Sequence, residues 1–309
     1  MSGMKRNTIA KVISNKVENW ILTITDKAVQ QACRRDTIVT GGAVASMLLG
    51  ESPNDYDIYF RTKETALAVA KYYVEKQNKI TESNSGRRFS VNLQTRTNLL
   101  GEEEERILIW TGDTKYKAED AAYAMPAPTE YEEEENIDPA ELKYRAFRVR
   151  ETQSYDVAWI SENAITLKGK IQLVMRFYGE PAELHRNYDF AHAMGSYDHW
   201  TKEVTIPEEA MEALLSKTLI YKGSLYPIAS LFRIRKFIAR GWRITAGQML
   251  KIVFQLQKID MSDPAVLKEQ LIGVDQLYMF EFIRLIEQQE PGTRIDDQIV
   301  ARFLDQLFD

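Results

Sequence analysis

The segment TIVTGGAVASMLLGESPNDYDIYF, residues 37–60, constrains the fold more than any other part of the chain. A short apolar run over 37–39 meets Gly41-Gly42, and a helical stretch follows over 43–49 with Gly50 placed to cap its C-terminus. Turn residues 51–54 then lead into DYDIYF, which reads as a second strand. Two glycines between a strand and a helix let backbone approach a ligand closely, and a helix N-terminus favours an anion. Gly41 and Gly42 are therefore a candidate phosphate cradle. On a strand, residues i and i+2 share a face, so Asp55 and Asp57 converge while Tyr56, Ile58 and Phe60 form the apolar phase. Convergent carboxylates repel each other unless a cation sits between them. Hard oxygen donors with positions left open for phosphate oxygens fit Mg²⁺, and a pair of such ions suits an in-line displacement at phosphorus.

The rest of the chain sorts into an α/β part and a helical part. An amphipathic helix is expected over 8–33 and another over 65–76, with strands over 88–97 and 106–111. Residues 118–141 hold Pro126, Pro128 and Pro139 and nine acids, too little apolar surface to order a segment, so a mobile insertion or linker is expected there. Strands resume over 146–151, 156–160, 164–168 and 170–178, and from Pro207 onward the pattern is helical. The expected division is a head over 1–206 and a helical region over 207–309.

Composition removes whole classes of function. The 309 residues are long enough for two domains. A net charge of −5 rules out indiscriminate coating of nucleic acid by the whole surface. One cysteine, Cys33, excludes an intrachain disulfide and suits a reducing cytosol. No apolar run reaches the roughly 18 residues of a membrane span, and the first residues lack the apolar stretch of a secretion signal, so a cytoplasmic protein without membrane partners is expected. The charge is uneven, however. Residues 213–259 contain nine bases and no acid, which leaves −14 for the remainder. No zinc-ligand spacing, Gly-x-Ser-x-Gly turn or Walker lysine loop is present.

The Gly-Gly turn and its paired aspartates resemble the signature of the polymerase-β-type nucleotidyltransferase superfamily, in its CCA-adding enzyme and poly(A) polymerase branch. Gly41, Gly42, Val44, Leu48, Leu49, Gly50, Asp55 and Asp57 match, while Ala45 and Ser46 stand where that signature has Arg-Asp. HRNYDFAHAMGSYD, residues 185–198, is similar to the family's Arg-Arg-Asp-Phe block, with Arg186, Asp189, Phe190 and Ala193 approximately kept. YPIASLFRIRKFIARGWRI, residues 226–244, resembles the neck helix, with Tyr226, Pro227 and Ser230 where a base-reading Glu-Asp-x-x-Arg element would stand. SENAITLKGKIQLVMRFYGEP, residues 161–181, looks like nucleotidyltransferase-like proteins of tailed bacteriophages, which would place the chain in a host cytoplasm.

The resemblance implies an α+β fold: a nucleotidyltransferase head with a mixed sheet flanked by helices, then an α-helical neck and tail. It implies two Mg²⁺ ions and a nucleoside triphosphate as substrate. Asp55, Asp57 and Asp189 would be catalytic and metal-binding, Asp189 either as ligand, as activator of the attacking hydroxyl or as a nucleotide-contacting group. Gly41, Gly42, Ser46 and Arg186 would contact the nucleotide. Arg233, Arg235, Lys236, Arg240 and Arg243 would hold RNA, with a tRNA 3′ end as first acceptor. Transfer to a protein or small molecule, or a catalytically silent module that binds RNA or a host protein, are the alternatives.

Overall fold

The computed structural model describes residues 3–81, 88–97, 103–111 and 155–260, together with Val266, Gln270 and Gln298. The acidic insertion expected over 118–141, the strand expected over 146–151 and nearly all of the helical region expected beyond 260 lie outside the described residues.

The described residues fall into two compact units. The first runs to Tyr188 and resumes over His192–Leu214; the second holds Asp189–Ala191 and residues from Leu215 on. In chain order the first unit contains α1 (Arg6–Ile21), α2 (Lys27–Asp36), β1 (Thr37–Thr40), α3 (Gly42–Leu49), β2 (Tyr56–Phe60) and α4 (Lys63–Thr81). There follow β3 (Phe89–Thr97), β4 (Glu103–Thr111), β5 (Val157–Ile160), β6 (Ala164–Leu167), β7 (Ile171–Tyr178), the single turn α5 (Pro181–Leu184), β8 (Ser196–Asp198) and β9 (Glu203–Thr205). The division falls within α6 (Glu208–Ser216).

Seven strands form one mixed sheet in the order β5-β6-β7-β2-β1-β8-β9, with β2 and β7 parallel and the other pairs antiparallel. β3 and β4 make a separate antiparallel pair. The fold class is thus α+β, a mixed sheet flanked by helices. Alternation along the central strands assigns the faces. Val39, Ile58 and Phe60 join one core with side chains of α1, α2, α3 and α4, whereas Ile38 and Tyr59 pack with Leu184 on the other side. Trp20, fully buried, donates from its indole nitrogen to the Tyr73 hydroxyl at 2.8 Å, tying α1 to α4 inside that core.

The single helix expected over 8–33 is two. The Asp26 carboxylate accepts from the amides of Ala28 and Val29 and so starts α2, and the buried Gln30 amide donates to the carbonyl of Ile21, the last residue of α1, and to that of Ile24 just beyond it. Those local hydrogen bonds outcompete a continuous helix, because they satisfy the backbone groups each terminus leaves open. By contrast α3 and Gly50, at φ 78°, stand where the sequence predicts them.

The second unit contains β10 (Thr218–Leu219), α7 (Pro227–Ala239), β11 (Arg243–Ile244) and α8 (Ala246–Leu256). Purely helical structure after Pro207 is therefore corrected: β10 and β11 pair in parallel, and Arg243 N–H donates to Lys217 carbonyl at 2.9 Å. Two-residue strands whose partners lie 25 positions apart leave no periodicity for sequence to display. No helix among the described residues is long and apolar enough to cross a membrane.

Candidate active site

The site is built where β1 gives way to α3. Gly41 holds φ 97°, a conformation open to glycine and strained for other residues. Its N–H donates to the Ala193 carbonyl at 3.1 Å. A Cβ at this position would lie 2.8 Å from Oδ2 of Asp57, so only a glycine lets that carboxylate come so close to the backbone. Gly42 opens α3 under different conditions. A Cβ there would meet nothing within 4 Å, Gly42 is exposed, and the helix has no side-chain cap. The first turn of α3 thus carries the partial positive charge of a helix N-terminus with no side-chain cap, and the space beside Gly42 is open.

Register sets the carboxylates. Asp57 faces Thr40 across the β1–β2 ladder and is half-buried; Asp55 precedes the strand by one residue and is exposed. Directly opposed residues of an antiparallel pair project from the same face, so Thr40 and Asp57 share a face with Ile38 and Tyr59. Beside them, the Thr40 hydroxyl donates to the Gly195 carbonyl at 2.9 Å and lies 2.9 Å from Nε2 of His185. Burial lowers the His185 pKa to about 4, so its imidazole is neutral at physiological pH. The rings of His185 and Tyr188 are 5.2 Å apart, those of Tyr59 and Tyr188 6.4 Å. Thr40, Tyr188 and Gly195 are members of this site that sequence reasoning missed. Thr40 enters through its ladder register with Asp57, Gly195 through the Thr40 hydrogen bond and Tyr188 through its ring contacts, all long-range or tertiary relations.

The remaining expected residues divide by place. Ser46 belongs to α3, but its carbonyl accepts from Glu51 N–H at 2.8 Å, so it serves the far end of that helix from Gly42. Arg186 is exposed on the short 3₁₀ turn His185–Asn187. Asp189 belongs to the second unit. Its side chain accepts from Arg233 Nη1 at 2.7 Å, its carbonyl accepts from Lys222 N–H at 2.8 Å, and the neighbouring Phe190 packs on Tyr221 and Phe237. The metal role expected for Asp189 competes with this ion pair. Of the cations expected to hold RNA, Arg235, Lys236, Arg240 and Arg243 are exposed in the second unit, and Arg243 also donates to the Thr218 hydroxyl.

For a metal, Asp55 and Asp57 supply hard oxygen donors at one end of β2. No group of three His, Cys, Asp or Glu side chains that would hold an ion by itself exists among the described residues. Mg²⁺ commonly takes one or two carboxylates and completes its shell with water and substrate phosphate, so this donor pair fits it.

Among solved structures, the chain is similar to the CCA-adding enzyme of Thermotoga maritima in complex with tRNA, with TM-score 0.38 and 12% identity over 94% of this chain and 53% of that one. It is also similar to the CCA-adding enzyme of Bacillus stearothermophilus in complex with CTP, with TM-score 0.32 and 13% identity over 91% of this chain and 51% of that one. The chain spans about half the length of both. A curated relative, Gabija anti-defense 2 of Bacillus phage SPbetaL7, is 22% identical over 142 residues, 45% of this chain and 35% of that protein. The sequence profile of the Gabija anti-defense 2 family matches residues 11–217, about two thirds of the chain, which therefore belongs to the Gabija anti-defense 2 (Gad2) family.

Proposed function

We propose that this Gad2-family chain is a Mg²⁺-dependent nucleotidyltransferase acting in the host cytoplasm, and that nucleotidyl transfer is how it counters defence. One observation carries the reading: the Asp57 carboxylate packs against Gly41 at the start of a helix whose first turn is uncapped and, at Gly42, sterically open. That juxtaposes an acidic metal-binding edge with an anion-binding helix end, the two features a metal-bound triphosphate requires. Asp55 and Asp57 would hold the Mg²⁺ ions, which supply charge neutralisation on the phosphates. The α3 N-terminus orients the triphosphate, and Gly42 leaves room for it. An acceptor hydroxyl oxygen bonds to the α-phosphorus while the bond to the bridging oxygen breaks. Pyrophosphate leaves, and the hydroxyl proton passes to a carboxylate or to water.

RNA is the acceptor we place first, because exposed Arg235, Lys236, Arg240 and Arg243 lie in a segment without a single acid over 213–259. A tRNA 3′ end is the leading candidate. A protein component of the Gabija defence is the second reading, favoured by membership of an anti-defense family. The decisive assay incubates the full chain with Mg²⁺ and each labelled nucleoside triphosphate, alone, with host tRNA, or with purified Gabija proteins. Label on tRNA supports the first acceptor and label on protein the second, and each must vanish in Asp55→Ala/Asp57→Ala. Absence of variant-sensitive transfer in every arm overturns the enzymatic reading.

A further inference from the structure

We infer that His185 is a positioning residue for the Gly41–Asp57 site, acting through the Thr40 hydroxyl as a fixed hydrogen-bond donor. This inference rests on the nucleotide-binding reading of that site and goes beyond it by naming what holds the site in shape.

The direction of each bond follows from proton counting. A threonine hydroxyl has one proton, and Thr40 gives it to the Gly195 carbonyl at 2.9 Å. The 2.9 Å contact with His185 must then run the other way, with Nε2–H donating to the Thr40 oxygen. His185 is accordingly the Nε2–H tautomer, with Nδ1 left as acceptor. Burial at 7% exposure keeps the ring neutral, so this arrangement is stable across the physiological range.

The consequence falls on two neighbours of Thr40. Along the chain, Thr40 precedes Gly41, whose own N–H is tied to the Ala193 carbonyl. Across the ladder, Thr40 opposes Asp57. Three links, from His185, Ala193 and Gly195, therefore converge on two adjacent residues of β1 and its turn, although β1 is already paired on both sides by β2 and β8. Bonds beyond those the sheet needs, placed where a carboxylate meets a glycine with no spare space, are what a site held to a few tenths of an ångström requires.

The test compares histidine replacements in the full chain. A glutamine amide nitrogen reaches close to the position of Nε2, whereas an asparagine stops short near Nδ1. His185→Ala and His185→Asn are expected to weaken Mg²⁺-dependent binding of a non-hydrolysable ATP analogue roughly 10–100-fold, and His185→Gln to restore it to within about threefold of the original protein. His199→Ala is the control: His199 is also a buried histidine of the first unit, at 1% exposure, bonded to Glu18 and Lys202. It should lower Tm without changing analogue affinity. Nitrogen chemical shifts of His185 should report the Nε2–H tautomer, lost in Thr40→Val. Unchanged affinity in His185→Ala, an equal loss in His199→Ala, or the opposite tautomer overturns the inference. If the original protein binds the analogue but transfers nothing, nucleotidyl transfer fails while the positioning role stands. If it binds no analogue, both fail.

Discussion

One helix from each unit, α1 and α8, uses its apolar side chains in opposite ways. In the first, α1 alone sinks Ile9, Ile13, Val17, Trp20 and Ile21 completely, and the sheet meets them with Val39, Ile58 and Phe60. In the second, α8 buries Ile252 but leaves Met249, Leu250, Val253 and Phe254 between 45% and 55% exposed. Both helices are amphipathic, so the pattern alone does not distinguish them. What differs is the opposing surface among the described residues: α1 closes on a sheet, whereas α8 buries Ile252 and is tied by contacts such as the 2.5 Å bond from Tyr221 hydroxyl to Gln255. The second unit does pack apolar side chains, with Phe190, Leu219, Tyr221, Ile234 and Trp242 buried, but among the described residues most of the apolar side of α8 takes no part in that core.

The largest effect expected from this contrast comes from truncating the same kind of side chain in each unit. Ile13→Ala empties space in a closed core and should cost about 2–5 kcal/mol. Phe254→Ala removes a larger side chain from a half-exposed position and should stay within about 0.5 kcal/mol. Urea denaturation of each variant measures both. A comparable loss at Phe254 would break the comparison.

A smaller contrast separates two adjacent glycines. Gly41→Ala forces a strained φ and drives a methyl against Asp57, so it should destabilise the first unit by about 1–3 kcal/mol. Gly42→Ala places its methyl in empty space at the first residue of α3 and should leave Tm nearly unchanged. It should nonetheless weaken triphosphate binding, because that empty space is the approach to the helix N-terminus. Calorimetry of the analogue beside a melting curve separates the two roles. A Gly42→Ala protein that binds normally would remove the helix end from the site.

Acid should act on the first unit. Burial lowers both His185 and His199 to about 4 from an ordinary value of 6.5. Between those values the unfolded chain binds protons that the folded one refuses, so stability falls as pH drops from about 6.5 toward 4. Above that window these two histidines contribute no slope. Tm measured across the window should decline in the original protein and decline less steeply in His199→Gln. An unchanged slope would place the acid sensitivity elsewhere.

How much of this was legible in the sequence depended on the range of the interaction. The α3 helix, its Gly50 cap and the Asp57 strand rest on residues within a turn of one another, and local chemistry places them. The break between α1 and α2 was also locally encoded, at Asp26, but apolar spacing continued through it and masked the cap. The partnership of Thr40 with Asp57 and His185 was invisible, because a ladder register and a contact spanning 145 positions join residues that share no motif. Asp189 shows a different limit. The superfamily resemblance makes it a candidate for the metal set, and no local pattern reveals that α7, 44 residues downstream, brings Arg233 beside it.

That ion pair gives the smallest effect, and the one most useful for sharpening the comparison between units. Asp189 is 8% exposed while the Arg233 side chain is 42% exposed, so the pair is half solvated and screened on one side. Removing the charge with Asp189→Asn should therefore cost about 1 kcal/mol or less, and the loss should shrink in high salt. The asparagine still accepts a hydrogen bond from Arg233 and leaves the backbone link from Lys222 intact, so Phe190 keeps its seat on Tyr221. If Asp189 acts only on the second unit, Asp189→Asn binds the ATP analogue with unaltered Mg²⁺ dependence while Asp57→Asn does not. A large, metal-dependent defect in Asp189→Asn would instead return this carboxylate to the metal-binding set expected from the sequence, with the Arg233 ion pair no longer its whole role.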